Sequence, residues 1–127
     1  MTLRELQEQL RHFAQERDWE RFHDPKNLSM ALAGEVGELL EIFQWLSPEE
    51  SAAVMTDPVQ AEAVRHELAD VFAYLLRLTD VLQVDLAAAL HEKTELNALR
   101  YPADQARGRS DKYHTYDPPG ASTAQGA

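Results

Sequence analysis

Four carboxylates are spaced so that they could hold a cation. Glu35 and Glu38 are three residues apart, and so are Glu67 and Asp70. Residues three apart on a helix share a face, with about 5–6 Å between their Cβ atoms, so each pair repels unless a cation neutralises it. Carboxylate oxygens select hard cations such as Mg²⁺ or Mn²⁺. The spacing therefore predicts a metal site, with a solvated acidic helix face as the alternative.

Both pairs stand in the same phase relative to their apolar stripes. Each of the four acids directly precedes an apolar residue of the stripe; these apolar residues are Val36, Leu39, Leu68 and Val71. If the two helices pack antiparallel, the four carboxylates converge. Neither pair contains the histidine of the Glu-x-x-His di-iron pattern, so iron is not favoured. Mg²⁺ held by carboxylates usually also binds phosphate, which makes a phosphate ester or anhydride the expected ligand.

Two glycines lie beside the first carboxylate pair. Gly34 and Gly37 fall inside an apolar, helical pattern. Glycine costs about 1 kcal/mol relative to alanine in a helix interior. Their presence therefore predicts that a backbone or a ligand approaches this helix closely.

A lysine, an asparagine and a tyrosine share the predicted face of the last helix. Lys93, Asn97 and Tyr101 are spaced four and four, and the first two continue the line of Leu86 and Leu90. Inward polar groups need partners. A triphosphate would satisfy Lys93, and a sugar or base edge would satisfy Asn97. The alternative is that the helix protrudes and leaves both side chains solvated.

Aromatic residues flank the carboxylates in the sequence. Trp19, Phe22 and His23 precede the second helix, and Trp45 lies on the predicted stripe of Glu35 and Glu38. Tryptophan can stack on a nucleobase, worth about 1–3 kcal/mol per base. Filling a core or an interface is the alternative for these tryptophans, and helix entry is the alternative for His23.

The elements that must position these residues are helical throughout. Apolar residues recur at three and four, and no alternating run or hairpin turn competes. Helix starts are predicted at Thr2 with Glu5, Asp24-Pro25, Ser47-Pro48, Asp57-Pro58 and Asp85, and the last helix ends at Tyr101-Pro102. The sequence predicts an all-α, antiparallel four-helix bundle over residues 1–101 and a polar, partly disordered tail over 102–127.

Some apolar residues lie off the predicted seams. Leu40, Ile42, Phe72 and Leu76 are the examples. One chain of this size buries only a modest core, so we expect a homo-oligomer, a homodimer or homotetramer. A thicker monomeric core is the alternative.

Composition excludes several classes of function. The 127 residues carry a formal net charge of −10, which disfavours nucleic-acid and anionic-membrane partners. Cysteine is absent, so thiolate metal sites and cysteine nucleophiles are excluded, and a reducing cytoplasm is indicated. No apolar run reaches the roughly 20 residues of a membrane span.

Several stretches together resemble the MazG-like nucleotide pyrophosphohydrolases, and within them the dCTP pyrophosphatase subgroup. The stretches are ERDWERFHDPKNLSMALAGEVGELLEIFQW, HELADVFAYLL, EKTELNALRYP and ARGRSDKYHTY. The resemblance implies Mg²⁺-dependent hydrolysis of a nucleoside triphosphate, dCTP or a related dNTP, to the monophosphate and pyrophosphate. It also implies dimers or tetramers with sites at subunit interfaces.

The resemblance also implies a role for each candidate residue. Metal ligands would be Glu35, Glu38, Glu67 and Asp70. The base pocket would contain Trp19, Phe22, His23, Trp45, Asn97 and Tyr101, with Lys93 on phosphate. The dCTP-preferring members carry a substrate-contacting histidine where this sequence has Leu10, which leaves the preferred base open.

Three further expectations concern the chemistry. Glu38 is the candidate proton acceptor, and the clustered carboxylates should raise one another's pKa in the metal-free protein. The basic stretch from Arg107 to Tyr113 is expected to fold over the nucleotide site. A non-catalytic helical dimerisation module with a structural metal site is the alternative function.

Overall fold

The computed structural model describes residues 1–111, and every regular element in that range is helical. The helices are α1 (Leu3–Glu16), α2 (Pro25–Phe43), α3 (Pro48–Ala52), α4 (Pro58–Leu82), α5 (Leu86–Arg100) and α6 (Ala103–Ala106), with 3-10 turns at Glu20–Phe22 and Val54–Thr56. The all-α prediction is confirmed. Its finer form, a four-helix bundle in a homo-oligomer, stays a prediction.

The predicted helix starts are confirmed because each has a side chain that caps it. Thr2 and Ser47 form capping boxes with the glutamate three residues on. The carboxylates of Asp24, Asp57 and Asp85 accept backbone N–H groups of the first turns of α2, α4 and α5. These bonds satisfy donors that have no partner within the helix.

The chain divides into two units, Met1–Val84 and Asp85–Ala127. In the first unit α4 packs mainly against α2, and α1 packs on α4 as well. The described part of the second unit contains α5 and α6. The predicted boundary at residue 101 stays a prediction. No helix within residues 1–111 has the length and apolarity needed to cross a membrane.

The core of the first unit agrees only in part with the predicted seams. Leu76, predicted off the seam, is fully buried together with Leu28, whereas Val36 and Leu68 are 47% and 50% exposed. Adjacent helical residues point about 100° apart. Glu35 and Glu67, each one position earlier, lie at least partly buried between the helices. The predicted seams were wrong at Val36, Leu68 and Leu76, but Leu28 and Val64, which belong to the same predicted seams, are buried.

Apolar side chains remain uncovered by the described part of the chain. Leu40 and Phe72, which were predicted to lie off the seam, are exposed. On α5, Leu90 was predicted to face inward but is 66% exposed. These exposed side chains are the surface that the predicted homo-oligomer would cover.

Candidate metal and nucleotide site

Three of the four predicted ligands converge between α2 and α4. One carboxylate oxygen from each of Glu35, Glu38 and Glu67 lies within 4.8 Å of the others. We call these three residues the carboxylate cluster. The fourth residue, Asp70, is outside this set, but its charge contributes to raising the pKa of both Glu35 and Glu67, so it lies at the edge of the cluster.

Convergence follows from the antiparallel course of the two helices. Glu35 of α2 lies near Glu67 of α4. Farther along α2, Glu41 and Ile42 line the same groove as Gln60, which precedes Glu67 on α4, so the two helices run in opposite directions. Two pairs in equal phase on antiparallel helices therefore meet. This part of the sequence prediction was geometrically sound.

The cluster has polar atoms that the protein itself does not satisfy. Oε2 of Glu35 and Oε2 of Glu67 are buried and have no hydrogen-bond partner among the described residues. A buried polar atom without a partner costs free energy, and a cluster of like charges adds repulsion. A hard cation with oxygen ligands would remove both costs, so these residues fit a divalent ion.

The pKa values of the cluster respond to burial and to neighbouring acids. Burial is the largest cause that raises the pKa of Glu35 to about 7; the nearby carboxyl groups of Glu67 and Glu38 and the charges of Glu38 and Asp70 also raise it. Burial also raises the pKa of Glu67. Both pKa values are raised, as expected, but burial is the largest cause, and the contact with Glu35 lowers the pKa of Glu67.

The cluster opens into a groove of about 430 Å³. Its lining residues are Glu38, Glu41, Ile42, Gln60, Ala63 and Glu67. Glu38 is exposed, while Glu35 and Glu67 are partly buried. Glu38 is therefore the member of the cluster best placed to meet a water molecule from the groove.

The segment before α2 presents aromatic groups at the surface. Trp19 packs edge-on against Phe13, with ring centroids 5.7 Å apart, yet remains 45% exposed. Phe22, in the following 3-10 turn, is also exposed, and His23 is partly buried. The fold thus keeps two aromatic faces and an imidazole available for contact.

Trp45 lies at the opposite end of α2. The helix ends at Phe43, so Trp45 is in the turn beyond it and not on the predicted helical stripe; its side chain is 86% exposed. The 19 residues of α2 span about 28 Å at 1.5 Å per residue. One chain therefore does not bring Trp45 together with the Trp19–His23 segment.

The residues predicted on the last helix lie in the second unit. Lys93 and Asn97 are exposed on α5, which agrees with the alternative that both side chains are solvated; their contact with a ligand stays a prediction. Their spacing of four still places them on one face. Tyr101 directly follows α5 as its C-cap and is partly buried. Of the expected basic flap, Lys112 and Tyr113 lie outside the described residues.

The prediction that a backbone or a ligand approaches the two glycines is wrong for the backbone within residues 1–111, and it stays a prediction for a ligand. A Cβ added at Gly34 or Gly37 would have no atom within 4 Å. No backbone in residues 1–111 approaches α2 closely there. Glycine at these positions is not explained by packing within the described part of the chain.

Comparisons with known proteins assign the family. The MazG-like family matches residues 31–115. The chain belongs to the MazG-like family. The region matched to this family contains all four acids, Lys93, Asn97 and Tyr101, and it begins after His23.

Individual proteins are also similar to this chain. Human (Homo sapiens) dCTP pyrophosphatase 1 is 46% identical over 112 residues, covering 88% of this chain and 66% of that protein. The Rattus norvegicus protein of the same name is 45% identical with the same coverage. The chain thus spans 66% of the length of these curated relatives. A crystal structure of a pyrophosphatase from Archaeoglobus fulgidus DSM 4304 is 42% identical, with a TM-score of 0.73 over 78% of this chain and 91% of that one.

The MazG-like chain also contains a charged group that the sequence analysis missed. Arg77 and Asp80 are buried on α4 and bond to each other at 3.0 Å. Arg11 of α1 donates two hydrogen bonds to the carboxylate of Asp80, at 2.6 and 3.0 Å. Arg77 also reaches His23 and Glu20. We call these five residues the arginine network. Two charges three residues apart inside the apolar run LLRLTDVL were the signal that could have revealed it.

Proposed function

We propose that this protein hydrolyses (deoxy)nucleoside triphosphates to the monophosphate and pyrophosphate, with a divalent cation, Mg²⁺ or Mn²⁺, held by the carboxylate cluster and Asp70. The observation that carries the proposal is the convergence of Glu35, Glu38 and Glu67 with two buried, unpartnered oxygens. The MazG-like assignment and the similar dCTP pyrophosphatases support it. The expected physiological role is clearance of unwanted nucleotides in the cytoplasm.

The chemistry requires charge neutralisation and a proton acceptor. A cation bound there supplies neutralisation of the phosphate oxygens, the main need of phosphoryl transfer. Glu38 would orient a water molecule and accept its proton on a carboxylate oxygen. The water oxygen forms a bond to phosphorus as the α–β anhydride P–O bond breaks, and pyrophosphate leaves. Glu38 suits this role because it is exposed to the groove.

The base pocket is expected to combine two chains. Trp19, Phe22 and His23 lie at one end of α2 and Trp45 at the other. A base cannot stack on both tryptophans of one chain across about 28 Å. A second copy, supplying the other tryptophan, would complete the pocket, which supports a homodimer or homotetramer with shared sites.

Three further residues are proposed to contact the substrate. Lys93 would offset charge on the departing pyrophosphate, and Asn97 and Tyr101 would bind the sugar or base. The substrate proposed is dCTP or a related dNTP. Leu10 stands where dCTP-preferring relatives are expected to have histidine, so the base preference has to be measured.

A panel of nucleotides tests this proposal. The purified full chain is assayed for pyrophosphate release from each dNTP and NTP with Mg²⁺, with Mn²⁺, and with a chelator. We expect metal-dependent formation of one monophosphate and one pyrophosphate per triphosphate. Metal binding without turnover of any nucleotide would contradict the proposal and favour a dimerisation module with a structural metal site.

A further inference from the structure

The contact between Arg77 and His23 fixes which imidazole nitrogen carries the proton. Arg77 Nε donates to His23 Nδ1 at 3.0 Å. The Nε of an arginine always carries its hydrogen and cannot accept. Nδ1 must therefore be unprotonated, and a neutral ring then holds its proton on Nε2.

The arginine is itself held rigidly by acids. It is buried, with Nη1 bonded to Asp80 at 3.0 Å and Nη2 at 3.6 Å from Glu20. Asp80 is held in turn by Arg11 of α1. Burial of His23, followed by the positive charge of Arg77, lowers the imidazole pKa, while Glu20 acts in the opposite direction. The neutral ring is thus favoured.

The imidazole lies where a nucleotide could reach it. His23 is only partly buried, follows exposed Phe22, and has no acceptor for Nε2 among residues 1–111. Arg77 is seven residues from Asp70 on α4, which places both on one face about 10 Å apart along the axis. The cluster residue Glu67 is ten residues from Arg77 on α4, about 15 Å along the axis. A nucleotide whose phosphates lie at Asp70 and the carboxylate cluster would therefore span about 10–15 Å to place its base at His23.

We propose that Arg77 is a positioning residue that holds His23 as a neutral Nε2–H donor, so that the site selects bases with a hydrogen-bond acceptor on the edge that meets it. The inference rests on the proposed function and adds a determinant of base selectivity. The donor favours a carbonyl oxygen or an unprotonated ring nitrogen and disfavours an N–H group at the same position. Leu10, being apolar, cannot contribute such a contact.

Two substitutions at His23 separate the donor from the structural contact. In His23→Asn, the amide oxygen replaces Nδ1 and can still accept from Arg77, but the Nε2 donor is lost. In His23→Gln, the amide nitrogen replaces Nε2 and keeps a donor near that position. The substrates are dCTP and the triphosphate of a difluorotoluene nucleoside. The difluorotoluene ring has about the shape of a pyrimidine base, but its fluorine atoms are only weak hydrogen-bond acceptors.

The expected result is a change in KM that depends on the base. His23→Asn should raise KM for dCTP by about 3- to 10-fold, the effect of losing one neutral hydrogen bond, and should raise KM for the analogue by a clearly smaller factor. His23→Gln should restore much of the affinity for dCTP. Equal effects on both substrates, or a wild-type KM for dCTP in His23→Asn, would overturn the inference.

The tautomer is measured without any turnover. In the full chain with ¹⁵N-labelled histidine, the His23 signals, assigned by their loss in His23→Gln, should show unprotonated Nδ1 and protonated Nε2 at pH 7. Arg77→Met should produce a tautomer mixture or a charged ring. An unchanged tautomer in a folded Arg77→Met variant would refute the positioning role, and if that variant does not fold, the His23 pair decides. Lack of any turnover by the wild type would refute the proposed function separately.

Discussion

The carboxylate cluster and the arginine network lie about three turns apart on α4; the charges of the network are paired, and those of the cluster are not. In the network, both arginines bond to Asp80, and Arg77 also lies beside Glu20. In the cluster, three acids face one another, and two buried oxygens have no partner within residues 1–111. Buried charges that are paired contribute to the stability of the fold or hold a neighbouring side chain in place. Buried carboxylate oxygens without a partner instead indicate a site for a ligand.

The largest expected effect is on catalysis at the unbalanced cluster. Glu38→Gln should lower kcat by about 10²- to 10⁴-fold, the range for loss of a proton acceptor, while the fold survives because a like-charge contact is relieved. Pyrophosphate release under saturating Mg²⁺ measures the loss. Glu62→Gln, at an exposed acid on α4, is the control and should keep wild-type activity. Activity of Glu38→Gln within about tenfold of wild type would remove Glu38 from the mechanism.

The second expected effect is on stability at the balanced network. Asp80→Asn should lower the free energy of unfolding by about 3 kcal/mol, because two arginines lose their shared charged partner in a buried setting. Asp18→Asn, which breaks the exposed pair with Arg21, should change it by less than about 1 kcal/mol. Urea unfolding measures both. Equal losses would show that burial does not distinguish the two pairs.

The two clusters also show what the sequence could predict. Caps and the acid spacing are local patterns, so the helix starts and the convergence of Glu35, Glu38 and Glu67 were accessible from the chain alone. The exposure of Val36 and the burial of Leu76 depend on how α1 and α2 both pack on α4. The apolar pattern of a single helix does not contain that information. The same holds for Arg77: its partners Glu20 and His23 are more than fifty residues away in sequence.

Addition of Mg²⁺ should distinguish the carboxylate cluster from the arginine network by its effect on stability. If Mg²⁺ binds only the folded cluster, it raises stability by about 2.7 kcal/mol at one hundred times its Kd. Glu67→Gln should lose most of this gain. Asp80→Asn should keep the full gain from Mg²⁺, although its stability without Mg²⁺ is lower, because the effects of distant sites on stability are additive. Thermal unfolding with and without Mg²⁺ measures the gain, and a full Mg²⁺ response in Glu67→Gln would contradict the assignment of the cluster as the metal site.

The smallest expected effect is the pH dependence of the metal-free protein. The pKa of Glu35 rises from 4.5 to about 7 on folding, so the folded protein holds a proton that the unfolded chain releases. Stability should therefore fall as pH rises from about 5 to about 7. The lowered pKa of Asp80 acts only below its ordinary 3.8 and contributes nothing in this window.

The lowered pKa of His23 works in the opposite direction there, because folding favours the neutral ring and stability rises as pH approaches 6.5. Comparison of wild type with Glu35→Gln cancels that contribution, since both proteins keep His23. The difference in melting temperature should grow in favour of the variant toward neutral pH and disappear when Mg²⁺ neutralises the acids of the wild type. A difference that is constant with pH would mean that Glu35 ionises normally, and the cluster would then lack the imbalance that marks it as a ligand site.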